Sequence, residues 1–141
     1  MKHPKHLWRE LVTEIAAFSL LAASIMLLWR HNLPLFIVLL AEALAALSLW
    51  HDRHDVICFV VIAVMGSLAE VAFVHFGVWR YANPTLLGLP LWFPVGFGTA
   101  FLIGQRLART ITGMWEEMKP PRALTDRENQ DNITSGRVFP S

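Results

Sequence analysis

The chain has 141 residues, of which 55% are hydrophobic and 16% charged, and its mean hydropathy is +0.45. Soluble domains carry about a quarter charged residues, so this composition predicts a membrane protein. The formal net charge is only +1 and no basic face is evident, which excludes a nucleic-acid partner. A single cysteine, Cys58, excludes an intrachain disulfide and a multi-thiolate metal site. We expect neither a metal nor a cofactor.

Four apolar stretches follow in chain order, at residues 11–29, 33–50, 56–79 and 86–107. Each is close to the roughly 20 residues that an α-helix needs to cross about 30 Å of hydrocarbon. The short connections between them require neighbouring helices to run antiparallel. The sequence therefore predicts an all-α protein, with a four-helix transmembrane up-down bundle at residues 11–112 that passes repeatedly through the inner (plasma) membrane of a bacterium.

The residues that flank these spans predict their orientation. Tryptophans suited to the headgroup region lie at the span ends: Trp8, Trp29, Trp50 and Trp79. One side of the membrane receives most of the basic residues: Lys2, Lys5, Arg9, Arg53, Arg106 and Arg109. The other side receives Arg30 and Arg80. The positive-inside rule then places residues 1–10 and a tail at 113–141 in the cytoplasm.

A cleaved signal peptide is the alternative interpretation of the first span, because Lys2 and Lys5 precede an apolar run that contains Ala22-Ala23-Ser24. The length of the run and the presence of Glu14 favour a membrane span instead.

The fourth span and the tail differ from the rest of the chain. The span contains two prolines and three glycines: Pro90, Pro94, Gly96, Gly98 and Gly104. These residues predict a kinked fourth helix or a short re-entrant turn before Pro94. From Lys119 to Ser141 the residues are mostly polar, so we expect a largely disordered tail.

Three glutamates lie within the spans, where a charge at a helix centre costs about 2.5–3.5 kcal/mol. Glu14 is about one turn into the first span, which predicts an interfacial carboxylate that reaches the headgroups or pairs with Arg9. Glu42 and Glu70 lie at matching depths, roughly 12 Å below the outer ends of their spans. If the two carboxyl groups meet, they share a proton and serve as a general acid, proton relay or cation site. The alternative is a protonated carboxyl group that hydrogen-bonds between helices.

Helical spacing places Glu70 on a face of mostly small residues: Ala63, Gly66, Glu70, Phe73 and Gly77. Such a face is typical of close packing between membrane helices, so Glu70 is expected to point into the bundle. Ser19 on the first span has a depth comparable to that of the glutamates. Ser67 is placed to donate to Glu70, although a serine more commonly bonds back to its own helix.

Two clusters of polar residues lie at the span ends. The outer cluster supplies candidate substrate-binding residues: His75, Trp79, Arg80, Tyr81, Asn83 and Trp92. Its alternative role is interfacial, with His75 reaching the headgroups and Arg80 anchoring phosphates. The turn at residues 51–55 contains imidazoles and carboxylates that suit a divalent metal, but a solvated turn is the expected interpretation.

The outer segment also carries a spaced motif, E-x6-G-x-W-x-Y-x2-P-x3-G-x-P-x-W-x-P, over residues 70–94. This motif resembles a pattern in small uncharacterised bacterial multi-spanning membrane proteins. It also resembles, over this segment only, the carotenoid hydratase family that includes bisanhydrobacterioruberin hydratase. The second resemblance implies that Glu70 donates a proton to an isoprenoid double bond and that Tyr81 lies near the substrate.

Two functions of different classes follow. The first is a bundle without catalysis, which associates with itself or with a membrane-protein partner in the lipid bilayer. The second is a membrane enzyme that acts by acid catalysis on an isoprenoid or polyene, with Glu70 as acid, Glu42 sharing its proton and aromatic residues stabilising positive charge. A subunit of an oligomeric transporter is a third, lesser alternative. The residues favour the first function, because packing alone explains four spans.

The first prediction concerns topology. Reporter fusions at Asn32, His54, Asn83 and the C-terminus should lie outside, inside, outside and inside the cytoplasm in turn, because four spans alternate from a cytoplasmic N-terminus. A pair of reporters active on opposite sides of the membrane measures this. A C-terminus outside the cytoplasm would contradict the predicted topology.

Overall fold

The computed structural model describes residues 4–50 and 52–119. These residues form four α-helices: α1 (Pro4–Leu28), α2 (Asn32–Trp50), α3 (Arg53–His75) and α4 (Phe93–Met118). Within the described ranges there is no β-strand, only an isolated bridge between Leu86 and Leu89. The predicted all-α class is confirmed for this part of the chain. Residues 120–141, which make up nearly all of the expected disordered tail, lie outside the described residues.

Three of the helices are long and apolar enough to cross a membrane: His6–Leu28, Asn32–Trp50 and Arg53–His75. Their outward surfaces are apolar, as a lipid environment requires, and Leu27 is 79% exposed. The charged residues Arg106 and Arg109 lie in α4, which is not among the three. The prediction of membrane helices is thus supported for three of the four predicted spans.

The helix α4 occupies the centre of the fold. It contacts each of the other three helices, whereas α1 and α3 do not contact each other. A buried cluster joins α1, α2 and α4 through Leu21, Leu35, Leu39 and Ile103, each of which is at most 2% exposed. Since lipid tails are as apolar as leucine, close van der Waals packing of these side chains is what holds the helices together.

Glycines permit α3 and α4 to approach closely. A Cβ atom on Gly66 would lie 2.2 Å from Cε1 of Phe97, and one on Gly98 would lie 2.9 Å from Cε2 of Phe59. Real Cβ atoms do not approach other atoms so closely, so each glycine accommodates an aromatic ring from the other helix. Ala63 and Gly66 of the small-residue face predicted for the third span therefore pack on α4, whereas Gly77 lies beyond the end of α3.

The segment between α3 and α4 departs from the predicted boundaries. The third span was expected to reach Trp79 and the fourth to begin at Leu86, but α3 ends at His75 and α4 begins at Phe93. Gly77 (φ +74°) and Gly88 (φ +86°) adopt left-handed conformations that break the helical path. A turn closed between Leu86 and Leu89 lies in this segment. We call residues 76–92 the α3–α4 loop.

The prolines expected to kink the fourth helix lie before it or in its first turn. Pro94 lies in the first turn of α4, where its missing N–H removes no helical hydrogen bond, so the proline begins the helix. The helix then continues without interruption from Phe93 to Met118, past Gly96, Gly98 and Gly104. The second predicted form, a short turn before Pro94, agrees with the turn at residues 86–89.

Candidate functional site

The first candidate site forms where the α3–α4 loop folds back on α3. Oε2 of Glu70 accepts hydrogen bonds from Nε1 of Trp79 at 3.0 Å and from the hydroxyl of Tyr81 at 2.9 Å. The rings of Phe73 and Trp79 lie 5.2 Å apart, and Tyr81 meets Phe93 edge-on at 5.7 Å. One carboxyl group therefore fastens the loop to the last turns of α3.

The electrostatics of this site affect the pKa of Tyr81. Both donors reach the same oxygen of Glu70. Burial raises the pKa of Tyr81 from 10.0 to about 12, and the hydrogen bond to Glu70 and its negative charge add to the increase. The phenol thus keeps its proton over the physiological range and remains a donor.

The other candidate residues of the outer segment are not brought to Glu70. His75 and Arg80 are exposed, and the ring contact of His75 is with Phe76. Asn83 donates to the carbonyl oxygen of Trp29 at 3.2 Å and accepts from Nδ2 of Asn32 at 2.8 Å through its own carbonyl oxygen.

Trp92 packs instead against the buried cluster that joins α1, α2 and α4. Of the six predicted substrate-binding residues, the structure places only Trp79 and Tyr81 at Glu70.

Glu42 has a different partner. Its Oε1 accepts a hydrogen bond from Oγ of Ser24 at 2.6 Å, and its buried Oε2 has no partner among the described residues. No hydrogen bond joins Glu42 to Glu70 in this part of the chain. The sequence offered Ser19 at a similar depth, but Ser19 donates to the carbonyl oxygen of Ile15 at 2.8 Å. Ser24 was missed because the sequence does not fix how α1 is rotated toward α2.

The serine near Glu70 behaves as the commoner alternative predicted. Oγ of Ser67 donates to the carbonyl oxygen of Ala63 at 2.6 Å, one turn back along α3. The hydroxyl of Ser67 therefore bonds within α3, and the donors to Glu70 are Trp79 and Tyr81 of the loop.

The interfacial role predicted for Glu14 is wrong. Glu14 is only 2% exposed, and its Oε1 accepts a hydrogen bond from Oγ1 of Thr110 at 3.0 Å. The reason is that α4 continues well beyond the predicted end of the fourth span and covers this face of α1. No sequence signal pairs residues so far apart along the chain.

The solvated turn predicted at residues 51–55 is also wrong for Asp55. Asp55 is 1% exposed and accepts from Nε of Arg106 at 2.8 Å, with further contacts from Nη2 of Arg106 and, at 3.4 Å, Nη1 of Arg109. Asp52 is exposed and caps α3 by accepting from the amide of His54 at 3.0 Å. Among the described residues, no three His, Cys, Asp or Glu side chains are grouped to hold a metal, and His51 lies outside them.

Comparisons of the chain with protein-family models, curated proteins and solved structures found no match. Its function is therefore inferred from its own residues. At the α3–α4 loop they form an anchored carboxylate, and at the α2–α3 turn they form a buried ion pair.

The second prediction tests the carboxylate at the loop. Tyr81 is the single tyrosine of the chain, so tyrosinate absorbance follows it alone. We expect a titration midpoint of about 12. Folding raises the pKa of Tyr81 above its unfolded value of 10.0. The stability that protonated Tyr81 contributes to the fold is therefore fully present below pH 10 and is lost as the pH rises through about 12.

Glu70→Gln removes the negative charge but not the burial, so the midpoint should fall while staying above 10.0. Glu116→Gln, at an exposed position near the end of α4, is the control and should leave the midpoint unchanged. A midpoint near 10.0 in the unaltered protein would show that Tyr81 is solvated and unbound.

Proposed function

We propose that this protein is a non-catalytic membrane protein whose four helices cross a bacterial inner membrane as an up-down bundle. Both termini lie in the cytoplasm, and the protein associates with a second copy of itself through α4. The observation that carries the proposal is the uncovered face of α4. This helix contacts all three neighbours, yet one of its sides remains open because α1 and α3 do not meet.

The open face has a composition suited to helix association. It consists of Phe97, Phe101, Gly104 and Ala108, whose spacing of four, three and four residues places them on one side of the helix. Phe97 and Phe101 are 41% and 40% exposed, although one edge of the Phe97 ring also packs against Gly66 of α3. Small residues four apart, here Gly104 and Ala108, let two membrane helices approach closely. We call these four residues the α4 face.

The glycine at position 104 has no explanation within one chain. A Cβ atom there would meet no atom within 4 Å, unlike those at Gly66 and Gly98. Glycine in a helix costs about 0.8–1.0 kcal/mol relative to alanine, so a glycine without an internal contact suggests an external one. A second copy supplies the same face, and a two-fold symmetric contact of this face with itself satisfies both chains.

Acid catalysis has less support. A general acid must carry a proton that it delivers in the transition state, whereas Glu70 accepts two hydrogen bonds on one oxygen. Those bonds hold the carboxyl group against the α3–α4 loop. Support for acid catalysis therefore comes from the resemblance of residues 70–94 to the carotenoid hydratase family, and a transporter subunit has no observation of its own in its favour.

The third prediction tests the α4 face. Gly104→Leu should leave the fold of each chain intact, because its side chain enters open space. If two α4 faces meet, the added side chain obstructs the contact, and the dissociation constant should rise at least about tenfold, which equals about 1.4 kcal/mol. Energy transfer between differently labelled copies in vesicles measures the association.

Ala69→Leu is the matched control, because Ala69 is also an exposed small residue but lies on α3. It should leave association unchanged. A monomeric unaltered protein, or equal association of the two variants and the unaltered protein, would contradict self-association through the α4 face.

A further inference from the structure

A polar cavity of about 440 Å³ lies beside the α2–α3 turn, bounded by α1, the end of α2 and α4. Charged side chains of both signs line it: Glu10, Glu14, Asp52, Arg106 and Arg109. Trp50 closes it on the α2 side. A second groove, between α3 and the α3–α4 loop, is almost wholly apolar, whereas this cavity combines positive and negative side chains. The cavity therefore suits a ligand that carries both a positive and a negative charge.

Among the acidic residues that line the cavity, Glu14 has a carboxyl oxygen whose hydrogen-bonding capacity is not satisfied. Glu14 is 2% exposed, one of its oxygens accepts from Thr110, and the other is buried without a partner among the described residues. A buried carboxylate oxygen without a hydrogen bond is costly, because its hydration has been lost. A ligand ammonium group donates up to three N–H bonds and would satisfy it.

The arginines that line the cavity, Arg106 and Arg109, differ in how many of their N–H donors are engaged by the protein. The guanidinium group of Arg106 is largely engaged by Asp55 and is 19% exposed. Arg109 is 47% exposed and reaches Asp55 only at 3.4 Å. Its five N–H donors therefore exceed the bonds it makes to Asp55 and His54. A guanidinium group in this state is well suited to bind a phosphate.

The position of the cavity indicates where the ligand comes from. The apolar helix α2 ends at Trp50 and α3 begins at Arg53, so the boundary of the hydrocarbon region lies at this turn. Tryptophan and arginine are residues that membrane proteins place at the headgroups. A ligand with a phosphate, an ammonium group and acyl chains fits this location, with its chains directed toward the bilayer.

We propose that this cavity binds the headgroup of a phospholipid that carries a primary ammonium group, as in phosphatidylethanolamine. Arg109 binds the phosphate, and the free oxygen of Glu14 accepts a hydrogen bond from the ammonium group. Glu10, one turn before Glu14 on α1, adds negative charge near the ammonium group. A choline headgroup has no N–H to donate, and a glycerol headgroup has no positive charge, so both bind less well.

The test compares the full chain, purified in detergent, for retention of three lipids by native mass spectrometry: phosphatidylethanolamine, phosphatidylcholine and phosphatidylglycerol. We expect phosphatidylethanolamine to bind at least about tenfold more tightly than phosphatidylcholine, the difference that one charge-assisted hydrogen bond produces. Equal binding of these two lipids would overturn the proposal.

Two variants test which residue of the cavity binds the ammonium group and which binds the phosphate. Glu14→Gln keeps an acceptor for Thr110 but removes the charge, and should abolish the preference for phosphatidylethanolamine over phosphatidylcholine. Arg109→Gln, at a half-exposed position whose contact with Asp55 is long, should weaken the binding of all three lipids about tenfold. Arg30→Gln, on the α1–α2 connection, is the control and should change nothing. Unchanged lipid binding in both cavity variants would overturn the proposal.

A soluble competitor distinguishes a lipid from a free solute. Glycerophosphoethanolamine carries the same headgroup without acyl chains, and it should fail to displace the lipid at equal concentration. Displacement at equal concentration would show that the cavity takes a water-soluble ligand, and the assignment to a membrane lipid would be wrong.

Discussion

The buried contact between Asp55 and Arg106 is the constraint on which the arrangement of the helices depends. Asp55 at the start of α3 is almost completely buried, and the guanidinium group that binds it also lies over the ring of Trp50, 4.9 Å from its centroid. One arginine on α4 thus joins α2 and α3. Removing one partner of a buried ion pair leaves an uncompensated charge and costs about 3–5 kcal/mol. The rotation of α4 about its axis is therefore fixed.

This rotation determines what the rest of α4 does. Thr110 lies one turn beyond Arg106 and reaches Glu14 on α1, so the same side of α4 serves three helices. Gly104 precedes Arg106 by two residues, which is about 200° around the helix. Because Arg106 faces the interior of the bundle, Gly104 faces outward. The open α4 face and the polar cavity therefore both result from the rotation of α4 that Arg106 fixes.

Part of this architecture follows from the sequence alone. The apolar runs predict α2 and the end of α1 to within one residue because a short polar connection separates the two helices, whereas α1 begins at Pro4, before the predicted span. The end of α3 was missed because the loop that follows is also largely apolar, and the positive φ angles at Gly77, Leu87 and Gly88 that interrupt the helical path are not evident from hydropathy. The far end of α4 was missed because charged residues there resemble a solvated tail until their partners are known.

In the candidate sites too, contacts between residues close together in the sequence could be predicted, whereas contacts between distant residues could not. The sequence singled out the segment from Glu70 to Tyr81, and the structure joins Glu70 to Tyr81 because they lie close together along the chain. Glu14 with Thr110, and Asp55 with Arg106, are joined across the fold. Such pairs depend on the rotation of each helix, and hydrophobic periodicity fixes rotation poorly in helices that are apolar on every side.

A double-mutant cycle on the buried pair tests this account most directly. Asp55→Asn and Arg106→Met are compared singly and together by reversible unfolding in detergent. The account predicts that each single variant loses about 3–5 kcal/mol and that the double variant loses clearly less than the sum, because neither charge is then left unpaired. Additive losses, or single variants as stable as the unaltered protein, would show that Arg106 does not fix the position of α4.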